Sequence, residues 1–251
     1  MRVLRVSISR DKLLATPPAE RALFLALGHL SNEITALNKL MLWASETTPR
    51  NDAESDGRLA IVLILIRILT GKLKEGWELL RKAHFGSAVS RTYHSQLPPE
   101  GKEAIDRIKE YFSSKNLVSE VRDSFSFHYP SRHLDEALPR IPESLHMYME
   151  EGGTSNNLYY HAELAAANAM LALAVTDEDP IGYLRLHEEV ATIARQFALA
   201  TDHLMTLFVR LYGRTIWEGP PEEVTFGTLP RLLDVRIPWF TDPSDAYDGS
   251  A

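Results

Sequence analysis

Apolar residues recur at helical spacing through most of this chain. Leu23, Leu27, Leu30, Ile34, Leu37 and Met41 form one stripe, at the steps of three and four that keep side chains on one face of an α-helix. Thr16-Pro17-Pro18-Ala19-Glu20 precedes it and predicts the start: a capping hydroxyl, then prolines where no backbone N–H is needed. The helix is expected to reach about Ser45. Pro49 to Gly57 reads as a polar loop. A second helix is expected from about Arg58 to Ala83, apolar almost all round in its first half and therefore central. Pro98-Pro99-Glu100 opens a third, with Ile105, Ile108, Tyr111 and Phe112 on it. Asn116 is the expected cap of a fourth, which stops by Pro130.

The remainder has a different texture. Val3, Val6 and Ile8 suggest a short strand or extended arm within residues 2–14. Pro139-Arg140-Ile141-Pro142 breaks the chain, and the runs Leu145–Met149 and Leu158–Tyr160 flank Gly152–Asn156, the pattern of a small β-hairpin near residues 144–161. Helices return at about Ala162–Val175 and Pro180–Leu211. After Gly213, the prolines Pro220, Pro221, Pro230, Pro238 and Pro243 predict irregular chain. The expected fold class is all-α: a helical bundle core with a small β-hairpin and additional C-terminal helices. The expected division is a core over 15–135, a hairpin plus helical elaboration over 136–213, and an irregular tail over 214–251.

Composition narrows the chemistry. No cysteine is present, which removes thiol nucleophiles, disulfides and thiolate metal sites. The run Leu59–Leu69 is too short to span a bilayer and contains Arg67, and the N-terminus lacks the apolar core of a secretory signal. A cytoplasmic protein with no membrane partner is expected. The formal charge of −7 gives no general attraction to nucleic acid. Residues 115–140 are neutral, so an RNA groove has to be assembled from distant parts or from two subunits.

Within that window lies the strongest chemical signal, Val118-Ser119-Glu120-Val121-Arg122-Asp123-Ser124-Phe125-Ser126-Phe127-His128-Tyr129-Pro130. Arginine holds a phosphate through a planar fork of donors, and histidine moves a proton near neutral pH. The same spacing recurs at Arg140 and His146, but Pro142 interrupts that spacer and excludes one continuous helix. On an ideal helix, six positions give about 9 Å of rise and about 240° of net rotation. Arg122 and His128 therefore need a helix that ends between them, or a site completed across a dimer. The local alternative is that Arg122 pairs with a neighbouring carboxylate and His128 caps the helix C-terminus. Phe125, Phe127 and Tyr129 suit core or dimer packing better than base stacking.

The segment resembles the Arg-x(4–6)-His signature of the HEPN superfamily, in which a polar residue often follows the arginine. The resemblance covers about residues 15–135. It implies a helical homodimer whose motifs meet across a two-fold axis, and a metal-independent endoribonuclease of the toxin or antiviral-defence type. It further implies an RNA substrate and an antitoxin-like protein partner. Arg122 and His128 would then be catalytic, with Asp123 holding one of them, and no cofactor or metal is expected. The alternative is a non-catalytic helical dimer that binds a protein or nucleotide. Related helical families often carry a polar residue on the first helix, which makes Asn32 and Glu33 secondary candidates; an ion pair of Glu33 with His29, at i,i+4, is the simpler role. Glu143 and His146 have a Glu-x-x-His spacing, but no second copy exists to complete a di-metal site.

Overall fold

The computed structural model describes residues 3–45, 48–128, 130–152 and 156–242. The protein is all-α, with nine α-helices among the described residues. A short strand β1 (Val3–Arg5) leads to α1 (Arg10–Leu14), then α2 (Pro18–Ser45) and α3 (Asp52–Ala83). Next come α4 (Ala88–His94), α5 (Pro99–Phe112) and α6 (Leu117–Val121), the last continued by a π-helical turn over Arg122–Ser126. After α7 (Ser131–Ala137) the chain reaches α8 (Tyr160–Leu171), α9 (Tyr183–Ile216) and β2 (Glu222–Val224). The two strands pair antiparallel, Val3 opposite Val224.

Several local signals act as read, and some do not. Asn116 Oδ1 accepts from the Ser119 N–H at 2.9 Å, the expected cap of α6. The Thr16 hydroxyl instead donates backwards to the Leu13 carbonyl at 2.7 Å, so it closes α1 rather than capping α2. That role falls to the prolines, with Pro18 at the first helical position. α3 begins at Asp52, ahead of the expected Arg58, because Asn51 Oδ1 accepts from the Glu54 N–H (2.9 Å) and the Glu54 carboxylate accepts from the Arg50 N–H (2.7 Å). This reciprocal cap turns the supposed polar loop into the first turns of a helix. α4 and α7, both of seven residues, are too short to show a periodic stripe. The segment expected to form a hairpin carries a single antiparallel bridge, Glu150 to Leu158, with both reciprocal hydrogen bonds at 2.9 Å; residues 153–155 lie outside the described residues. The tail is not wholly irregular, since α9 runs through Gly213 and β2 follows it.

The chain forms two compact units, each drawn from three separated segments rather than from consecutive stretches. The first comprises the chain up to Ala36, Gly71–Ser119 and Glu189–Pro230. Its core contains Leu23, Leu27, Leu30, Leu73, Leu80, Ile105, Ile108, Phe197 and Phe208, all buried. α3 has a glycine at 76 where neighbouring side chains crowd it: a Cβ there would meet Leu30 at 2.8 Å and Phe197 at 2.9 Å. Trp77 stacks on Phe112 (centroids 5.4 Å apart, planes at 9°) and Phe24 on Phe208 (4.1 Å).

The second unit comprises Leu37–Thr70, Glu120–Glu188 and the chain from Arg231. Here the apolar first half of α3, with Ala60, Leu63, Ile66 and Leu69 buried, shares the unit with α7 and α8. Ala60, Leu158, Tyr160 and Leu164 form a buried cluster, against which Ile141, Tyr148, Trp239 and Phe240 pack. The Tyr148 hydroxyl donates to the buried Asp56 carboxylate. Gly182 sits at φ +77°, where a side chain would strike the Leu171 carbonyl.

Candidate functional site

The segment holding Arg122 and His128 lies within the second unit, and its backbone departs from α-helical geometry. After one turn of α6, the chain widens to π geometry over Arg122–Ser126 and leaves the helix at Phe127 (φ −132°, ψ 19°). A π turn adds a residue to the ring closed by each hydrogen bond, so the chain beyond it is rotated by about 100° relative to an α-helix. The 240° separation expected of an ideal helix therefore does not apply, and the helix ends between the two residues. Two contacts hold the turn. Phe125 is buried, with its ring 5.9 Å from that of His133, and the Ser126 and Thr70 hydroxyls lie 3.1 Å apart.

Arg122 Nη1 donates to Asp123 Oδ1 at 3.1 Å, with the arginine side chain about one-third exposed. A neighbouring carboxylate thus orients the guanidinium. His128 is exposed and lines the rim of a cavity of about 600 Å³. Arg122 does not line that cavity; its walls come from α3, the π turn, α7 and α8. Phe125, Phe127, Ile64, Ile68 and Leu134 make them mainly apolar, and Ser126 adds a hydroxyl.

One ion pair interrupts this apolar surface. Arg67 Nη2 donates to Glu163 Oε2 at 2.7 Å, with side-chain exposures of 16% and 22%, and both residues line the cavity. Sequence reasoning missed both as site residues. The signal was there, however: Arg67 is the lone charge in the apolar run Leu59–Leu69, and a charge on such a helix has to find a partner or a polar cavity. Its partner could not be read, because Glu163 lies 96 positions away.

Asn32 and Glu33 belong to the other unit. Asn32 is exposed. Glu33 Oε1 accepts from Lys72 Nζ at 2.5 Å and lies 3.7 Å from His29 Nε2, so Lys72 is its main partner. Glu143 and His146 are both exposed, and no group of three metal-binding side chains occurs among the described residues. Also among those residues, no helix is long and apolar enough to cross a membrane.

Other ionisable groups are tied into the cores. Glu20 accepts from both the Tyr93 (2.8 Å) and Tyr212 (2.9 Å) hydroxyls. Burial pushes the Tyr93 phenol well above its ordinary value, and the bond to Glu20 adds to the rise. Burial, and then the nearby Asp56 charge, raise the Glu150 carboxyl. In comparisons with family models, curated proteins and solved structures, the chain matched none.

Proposed function

We propose that the protein is a metal-independent endoribonuclease in which His128 transfers protons and Arg122 stabilises charge on the reacting phosphate. The observation carrying this reading is the break in the helix between them. The π turn and the exit at Phe127 free His128 from the helix and leave it exposed beside a cavity, while Arg122 stays helical and is oriented by Asp123. An exposed imidazole and an oriented guanidinium at opposite ends of one short turn are the parts that cleavage by RNA's own 2′-hydroxyl requires.

In that reaction the 2′-oxygen loses its proton to a base and bonds to the adjacent phosphorus. The bond from phosphorus to the 5′-oxygen breaks, and that oxygen takes up a proton. The products are a 2′,3′-cyclic phosphate and a 5′-hydroxyl. Histidine is suited to either transfer near neutral pH, and arginine to the extra negative charge of the five-coordinate transition state. One imidazole serves one transfer at a time; the same histidine of a second copy, meeting the first across a two-fold axis, would serve the other. A toxin or defence role, with an antitoxin-like protein restraining the activity, is the biological setting this chemistry suits.

The test is cleavage of total RNA by purified protein, with and without EDTA. His128→Ala and Arg122→Ala are each expected to lower the rate by about 10²–10⁴-fold with the fold intact. EDTA should change nothing, and His146→Ala should be nearly silent. Cleavage that survives both substitutions, or that depends on a divalent ion, removes this assignment.

A further inference from the structure

The cavity beside His128 is larger than proton transfer needs. At about 600 Å³ it lies within the range of small-molecule sites and accommodates a purine. Its walls are apolar on the faces formed by Ile64, Ile68, Phe125 and Phe127. Phe127 is 55% exposed, so an aromatic face is presented to solvent at the rim, where a flat ring can stack on it.

The polar part of the lining is as specific as the apolar part. Glu163 Oε2 is occupied by Arg67, but Glu163 Oε1 has no hydrogen-bond partner among the described residues. Nor is it sealed from solvent, since it is absent from the buried unsatisfied atoms. The ion pair therefore fixes a carboxylate in an apolar wall with acceptor capacity left over. A carboxylate has no proton to donate, so it selects an edge that offers donors. Among the four RNA bases only guanine places two donor groups, N1–H and N2–H₂, side by side, and its neighbouring O6 is an acceptor for the remaining guanidinium N–H groups of Arg67.

We infer that this cavity binds a guanine base of the RNA strand, with Glu163 as the residue that reads it and Phe127 as its stacking face. The inference rests on the nuclease reading, since it is His128 at the rim that brings an RNA strand to this cavity. It makes the enzyme selective for cleavage next to guanosine. Arg67 is a positioning residue: it holds the carboxylate in place and compensates its charge.

The experiment uses the full chain with labelled isoleucine methyl groups, titrated in turn with 5′-GMP, 5′-AMP, 5′-UMP, 5′-CMP and ribose 5-phosphate. GMP is expected to shift the Ile64 and Ile68 methyls, with about tenfold preference over the other nucleotides, and ribose 5-phosphate to leave them unmoved. Glu163→Gln should erase the preference. Phe127→Ala, at an exposed position that the fold does not need, should weaken GMP binding about fivefold or more. Mapping the ends of cleaved RNA should then show guanosine enriched at the cut. Equal shifts from all four nucleotides, a preference for another base, or no shift at all would overturn the inference. RNA cleavage without GMP binding or guanosine enrichment sinks the pocket and spares the nuclease, whereas selective GMP binding without cleavage does the reverse.

Discussion

His84 is an ionisable side chain taken almost wholly out of water. It is 1% exposed, its Nδ1 has no hydrogen-bond partner, and its ring lies edge-on to Phe85 (centroids 5.4 Å apart). Burial first, and the charge of His94 second, lower its pKa from 6.5 to about 4. Unfolded chains take up this proton near 6.5, folded ones only near 4. Between these values the unfolded state binds more protons, so acid favours unfolding. His84's contribution is complete above about pH 6.5 and fades as the pH falls to about 4. It amounts to no more than about 3–4 kcal/mol by the usual conversion of 1.36 kcal/mol per pKa unit. Urea denaturation at pH 7 and pH 4.5 should show that loss, and His84→Leu should flatten it; an unchanged pH slope in the variant would assign the acid sensitivity to other groups.

At the scale of elements, caps and close approaches explain where helices begin and how tightly they meet. Asn116→Ala removes the acceptor for the Ser119 N–H and is expected to cost about 1 kcal/mol, measured as a lower urea midpoint with an unchanged slope. α6 has only five residues before the π turn, so the same variant should also loosen the turn that presents His128. Amide exchange at Phe125 and Ser126 should then accelerate. Gly76→Val drives new carbon into Leu30 and Phe197. Overpacking of this kind costs about 1–3 kcal/mol, and a thermal midpoint within a degree of the native value would show that α3 has room to move.

At the scale of the whole molecule, the central question is whether two copies associate. The nuclease reading calls for a homodimer, and the charge of −7 per chain opposes association most strongly at low salt. Light scattering at micromolar concentration and 0.15 M salt should therefore give twice the 28.3 kDa chain mass, with the dimer favoured as salt rises. A strict monomer at every salt concentration would leave each site with a single imidazole.

The amino-acid sequence by itself determined the helical class, the courses of α2, α5 and α9 to within a few residues, and the cap at Asn116. Those features depend on contacts within a turn or on a stripe several turns long, and both are written in neighbouring residues. It also marked Arg122, Asp123 and His128, whose contact at 3.1 Å between the first two is likewise local. Tertiary structure decided the rest. The Thr16 hydroxyl had two backbones within reach, and the fold turned it towards Leu13. Strand β1 found its partner more than 200 residues away, and Arg67 found Glu163 across 96. Each is a choice among many polar partners made by long-range packing, which no periodic pattern records. The π turn belongs with them. Nothing in Arg122–Ser126 demands an extra residue per turn, and it is the burial of Phe125 and the approach of Thr70 to Ser126 that hold the chain there.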